Sequence, residues 1–98
     1  MSAGVLDARP HAIGPLGSRL TLDNLPPGST SRWTAIRKAE VVAAVNARLL
    51  TLDEACERYS LSLEELVAWQ RAEERSGVAG LRLTYAQKYR QLWERQSY

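Results

Sequence analysis

The chain has one cysteine, one histidine and no run of about 18 apolar residues. The lone Cys56 excludes an intramolecular disulfide and any multi-cysteine metal site, and its expected place is a helical core, as a small apolar side chain. The lone His11 has no Cys or Asp at a recognisable spacing, and no glycine-rich loop precedes a helix to cradle phosphate. Glu64 and Glu65 are neighbours in sequence, which on a helix turns them about 100° apart and denies them a shared proton. The chain is therefore expected not to be an enzyme and to need no cofactor, no metal and no small-molecule substrate. With neither a bilayer-spanning stretch nor the charged-then-apolar pattern of an export signal, a soluble cytoplasmic protein without a membrane partner is expected.

What is present fits an ordinary globular domain. Of 98 residues, 45% are apolar and 24% charged, a length and usage that suit a single domain. The net charge of +2 conceals a division along the chain. Residues 1–50 carry six basic side chains against three acidic ones; residues 51–76 carry three against seven; residues 77–98 carry four against one. An acidic centre sits between basic flanks.

Residues 1–10 lack periodicity and read as a disordered tail. Over 11–22, Ile13, Leu20 and Leu22 flank Gly14-Pro15-Leu16-Gly17-Ser18, where Pro15 presets a turn and Gly17 can take positive φ, so a small β-hairpin is expected. Pro26-Pro27-Gly28 breaks the chain, and a first helix is predicted over 31–48, starting near Ser31 with Ile36, Ala39, Val42, Val45 and Leu49 as its core stripe. Thr51-Leu52-Asp53-Glu54 is a capping box that opens a short helix over 52–59. Ser62-Leu63-Glu64-Glu65 opens another over 63–75, which should stop before Gly77. Val78 to Leu83 reads as a connector. Thr84 caps a last helix over 84–95, in which Tyr85, Tyr89, Leu92 and Trp93 fall at i, i+4, i+7 and i+8.

A short helix, a tight turn and a longer helix make the plan of a helix-turn-helix. Ala55 and Tyr59 share one face of the first, Leu61 plugs the turn, and Leu66 and Trp69 face back from the second. The fold class read from the chain is all-α, a helix-turn-helix domain with a small N-terminal β-hairpin. In such units the start of the second helix enters the major groove, while Lys, Arg and helix N-termini grip phosphate. Here that start presents Ser62, Glu64, Glu65, Ala68 and Gln70, with no basic neighbour until Arg71. Two acids repel a polyanion where binding depends on counterion release, although Glu can accept from cytosine N4; as the first turn of a helix they also simply favour its dipole. The candidates for phosphate or partner contact are Arg32, Arg37, Lys38 and Arg48, with Arg82, Lys88 and Arg90 near the end. Arg37 and Lys38 are expected to point away from the apolar stripe. Trp33 is an interface anchor or partial core.

Several strings occur together in order: Ile13-Gly14-Pro15 with Gly17-Ser18, Leu25-Pro26-Pro27, Arg32-Trp33, the run from Arg37-Lys38-Ala39-Glu40 to Val45, Glu54-Ala55-Cys56 with Arg58-Tyr59, Trp69-Gln70-Arg71, and Gly80-Leu81-Arg82. This order resembles the SciP family, small inhibitors of the alphaproteobacterial cell-cycle regulator CtrA, over about residues 11 to 90. The resemblance implies a Trp-repressor-like helix-turn-helix and repression of CtrA-activated genes, by docking on the response regulator or by contact with promoter DNA. It also implies a basic cluster with a further Arg where this chain has Ile36. The acidic centre suits the protein-docking route, because a protein surface can present matching basic groups. The alternatives are an autonomous DNA-binding unit of transposase-like type and a dimerising module using Tyr85, Tyr89 and Trp93.

Overall fold

A computed structural model describes residues 10–82 and residue 84. Residues 1–9 of the tail expected over 1–10, and the last helix beyond its expected cap Thr84, with its aromatic face, lie outside the described residues. The element order is β1 (Ala12–Ile13), β2 (Arg19–Leu20), α1 (Ala35–Asn46), α2 (Leu52–Tyr59) and α3 (Leu63–Leu81).

The strands pair antiparallel, Ala12 opposite Leu20 and Ile13 opposite Arg19. The turn between them closes as Gly14 N–H donates to Ser18 O at 2.8 Å and Gly17, at φ 83°, donates to Gly14 O at 2.9 Å. Because side chains alternate across a strand, this register turns Ala12 and Leu20 inward and leaves Ile13 at 60% exposure. Two residues per strand cannot stand alone; β1 leans on α1.

Helix α1 begins four residues later than Ser31 suggested. Thr34 is the cap, its hydroxyl accepting from Arg37 N–H at 3.2 Å. Trp33, just before it, packs its ring among other aromatics, which holds 31–33 out of the helix. The C-terminus is a Schellman motif: Arg48 N–H donates to Val45 O at 3.0 Å and Leu49 N–H to Ala44 O at 2.8 Å, with Arg48 at φ 63°. The helix therefore ends at Asn46, not Arg48. Its buried set is Lys38, Ala39, Val41, Val42 and Ala44, while Ile36 and Val45 are only half-buried. The stripe is broader than expected because α3 covers one side of α1 and β1 another.

The two caps downstream match the sequence. Thr51 Oγ1 accepts from Glu54 N–H at 3.0 Å while Glu54 Oε1 takes the Thr51 N–H at 2.8 Å, and Ser62 Oγ accepts from Glu65 N–H at 3.1 Å. Between the helices Ser60 adopts a left-handed conformation at φ 55°, letting the Leu61 N–H reach Cys56 O at 2.9 Å.

Beyond Arg75 the chain departs from the expected connector. Gly77, at φ 62° and ψ −156°, kinks α3, and helix resumes to Leu81. This last turn folds back on the body of α3 so closely that a Cβ on Gly80 would sit 2.5 Å from Ala72 O. Absence of a side chain permits the approach, and Leu81 is fully buried by it. The largest fully buried side chains are Trp69, Leu66, Leu81, Val41 and Val42, so the core lies where α1 meets α3.

Candidate nucleic-acid or partner interface

The corner between α2 and α3 is closed by the five side chains expected to close it. Ala55, Tyr59, Leu61, Leu66 and Trp69 are at most 6% exposed. Tyr59 also donates its hydroxyl to Pro26 O at 2.7 Å, tying the corner to the loop ahead of α1. Trp33 meets Tyr59 edge-on, with ring centroids 5.2 Å apart, and Trp69 at 5.1 Å. Such pairs add to plain area burial, and here they join the entrance of α1 to both helices of the corner. Half-buried Trp33 is thus core on one side and surface on the other.

The corner's outer surface carries Ser62, Glu64, Ala68 and Arg71, all exposed, with Glu65 half-buried. Ser62 spends its hydroxyl oxygen on the cap. Gln70 is half-buried and donates from Nε2 to Asn46 Oδ1 at 3.2 Å, bridging α3 to the end of α1. Its amide nitrogen is therefore engaged within the chain. On α2, Asp53 and Glu57 are exposed as well, so the corner's outer side is acidic along both helices.

Two arginines ahead of and within the first turn of α1 are exposed. Arg37 donates from Nη1 to Arg32 O at 2.9 Å, which brings both residues together at the entrance of α1 while leaving both exposed. Beside them, burial pushes the Glu40 carboxyl above its ordinary range, and the Arg37 charge partly offsets that. Arg48 and Arg82 are exposed at other ends of the fold; Lys88 and Arg90 lie outside the described residues.

Lys38 is the main correction. It does not point to solvent: it is 8% exposed and donates from Nζ to Leu81 O at 3.2 Å and to Thr84 O and Thr84 Oγ1 at 2.7 Å each. The lysine caps the carbonyls released where the last turn of α3 ends. Phosphate contact through Lys38 would cost these bonds. The basic candidates at this end of α1 reduce to Arg32 and Arg37.

Two residues make contacts that the sequence does not signal. Asn46 became part of it through Gln70, and Arg58 reaches back with Nη2 to Leu22 O at 3.3 Å while its guanidinium lies 5.6 Å from the Tyr59 ring centroid. Both act across 24 or more residues. Cys56 is half-buried rather than deep in the core; burial raises its thiol pKa, with Asp53 and Glu65 adding to the effect. Among the described residues there is no group of three or more His, Cys, Asp or Glu placed to hold a metal ion, and no helix long and apolar enough to cross a membrane.

Comparison with curated proteins finds no match. The chain is similar to a protein of Rhodobacter sphaeroides whose solution structure was determined by NMR, at 44% identity over 93% of this chain and 96% of that one, with a TM-score of 0.62. A family model described as a protein of unknown function, DUF1153, matches residues 6–90. With that match running over most of its length and through the hairpin, the corner and α1, the chain belongs to the DUF1153 family.

Proposed function

We propose that this protein is a transcriptional regulator that represses CtrA-activated cell-cycle genes by binding the DNA-bound response regulator, as its resemblance to the SciP family implies. The observation that carries the reading is the closed α2–α3 corner, whose five inward side chains are buried while Ser62, Glu64 and Arg71 stand outside. Acids at the start of α3 oppose a duplex, since affinity for DNA comes largely from cations that displace its counterions. They complement a basic protein surface. Arg32 and Arg37 remain exposed beside the corner to meet phosphate or an acidic rim of the partner. Trp33 supplies the aromatic floor between them and the corner.

The test is a pair of NMR titrations of the whole chain, one with promoter DNA and one with a CtrA-type response regulator. The reading expects shifts at Glu64, Ala68, Arg71 and Arg37 with the regulator and weak, salt-sensitive shifts with DNA alone. An autonomous DNA-binding unit is the competing reading, favoured by the exposure of Arg32 and Arg37. It expects saturable binding to DNA alone that falls by orders of magnitude between about 50 and 200 mM salt. Shifts confined to the DNA titration would overturn the first reading.

A further inference from the structure

Away from the corner, a groove of about 570 Å³ opens between the hairpin, α1 and the kink of α3. Ile13, Pro15, Ala43 and Val78 give it apolar walls, and Asn46 and Glu73 give it polar groups. A second cleft shares Asn46 and Glu73 and continues to Glu74. Beside the groove, Leu16 at the tip of the hairpin is 78% exposed and Ile13 60%. Among the described residues, three of the four exposed large apolar side chains, Ile13, Leu16 and Leu22, belong to this one stretch of ten residues. Such a concentration marks an interaction surface, where apolar side chains scattered singly would not.

We infer that the hairpin and the groove make a self-complementary surface by which two copies of this chain pair, Leu16 of each copy entering the groove of the other. The hairpin presents a preformed knob. Gly14 N–H donates to Ser18 O and Gly17 N–H to Gly14 O, so the turn that carries Leu16 is already fixed, and burying the leucine demands little further ordering of the backbone. Knob and socket adjoin, because Leu16 directly follows Pro15, which lines the groove. One two-fold axis beside the hairpin tip therefore seats both leucines at once, and the contact closes as a dimer instead of growing into a filament. Charge favours the same match. Residues 11–22 contain Arg19 and His11 and no acid, whereas the groove and the cleft that continues it carry Glu73 and Glu74 against Arg71 alone. Opposite signs across an interface steer the two surfaces together and set their register. A surface this small belongs with the weak, reversible interfaces that bury less than about 1,200 Å² in total, so monomer and dimer exchange and the dimer gains with concentration. None of Ser62, Glu64, Ala68 and Arg71 lines the groove itself, so the pairing does not rest on the regulatory reading.

The experiment is sedimentation velocity on the full chain over a concentration series reaching about 1 mM, with NMR on a mixture of isotope-labelled and unlabelled protein that separates contacts within and between chains. The sedimentation coefficient should rise with concentration toward that of a dimer, and cross-peaks between chains should join the Leu16 methyls to those of Ala43 and Val78. Leu16→Asp, which puts a charge where a leucine was to be buried, should raise the dissociation constant by at least about tenfold. Because Leu16 is exposed in the single chain, the circular dichroism spectrum and the urea midpoint of this variant should stay in place. Glu73→Lys should weaken pairing from the groove side. A monomer over the whole series, a dimer that Leu16→Asp leaves intact, or cross-peaks from Leu16 to the groove only within one chain would each overturn the proposal.

Discussion

The ammonium group of Lys38 lies 5.6 Å from the centroid of the Trp69 ring, under the end of the helix whose carbonyl groups it binds. A cation held over an indole face gains from the ring quadrupole, most when both are shielded from water, and Trp69 is 1% exposed. The pair connects α1, the body of α3 and the turn after its kink. Lys38→Met keeps most of the stem but removes the ammonium that ties Thr84 O to α1, while Leu81 O keeps the Thr84 hydroxyl and N–H as donors, a loss expected to cost about 1–3 kcal/mol. Urea unfolding followed by circular dichroism measures it. Arg37→Ala, at an exposed position, should leave the midpoint nearly unchanged and act on partner binding instead.

Trp69→Ala is expected to cost about 3–5 kcal/mol, because the cavity lies at the meeting of α1 and α3 and cannot fully collapse. Such a loss is a large part of a small domain's stability. A variant that unfolded at the same urea concentration as the unmodified chain would contradict the packing described.

Thr51→Ala removes one of the two reciprocal bonds of the capping box and should cost about 1 kcal/mol. The effect belongs to the start of α2, so amide hydrogen exchange should quicken there first.

Arg48 is a non-glycine residue at φ 63° in a Schellman turn. Left-handed backbone costs an L-residue about 1–2 kcal/mol, of which the freer unfolded chain of glycine takes back about 0.5–1. Arg48→Gly is therefore expected to raise the unfolding midpoint slightly. A fall would mean that the arginine side chain contributes more than its backbone costs.

Stability should also fall at high pH. Burial, set partly against the neighbouring Arg58 charge, raises the Tyr59 hydroxyl above its ordinary value of 10.0. Above that value the unfolded chain loses the proton while the folded chain keeps it, so the folded state is disfavoured as pH climbs through the raised value. The contribution is complete below pH about 10. Tyr59→Phe should flatten this alkaline decline while losing the bond to Pro26 O, and thermal melts between neutral and strongly alkaline pH test both.

What the sequence discloses and what it hides divides by distance along the chain. Thr51 with Glu54 and Ser62 with Glu65 are partners three residues apart, and both helix starts were legible for that reason. The five apolar positions of the corner were equally legible, since periodicity within α2 and α3 sets their faces. The place of Lys38 is hidden from the sequence because its acceptors lie 43 and 46 residues away, and a lysine beside an arginine reads as a solvated pair. The sequence places the start of α1 near Ser31, which can cap as well as Thr34 can, and only the packing of Trp33 on Tyr59 and Trp69 selects Thr34. Val78 to Leu83 reads as a connector from sequence because it has no helical period, whereas Gly80 within it lets the last turn of α3 approach Ala72. Of the candidate surface, the exposed positions were foreseen, whereas Gln70 proved to be engaged with Asn46.

The hydrogen bond from Tyr59 to Pro26, together with the edge-on contact of Trp33, has a practical consequence for anyone who would re-engineer this molecule. The helix pair is not a portable cassette: excised as a peptide, it would lose the strap that sets the crossing of its two rods. Under the proposed regulatory function, specificity would be altered by grafting at Ser62, Glu64, Ala68 and Arg71, all exposed, where the scaffold asks only for a cap at the first.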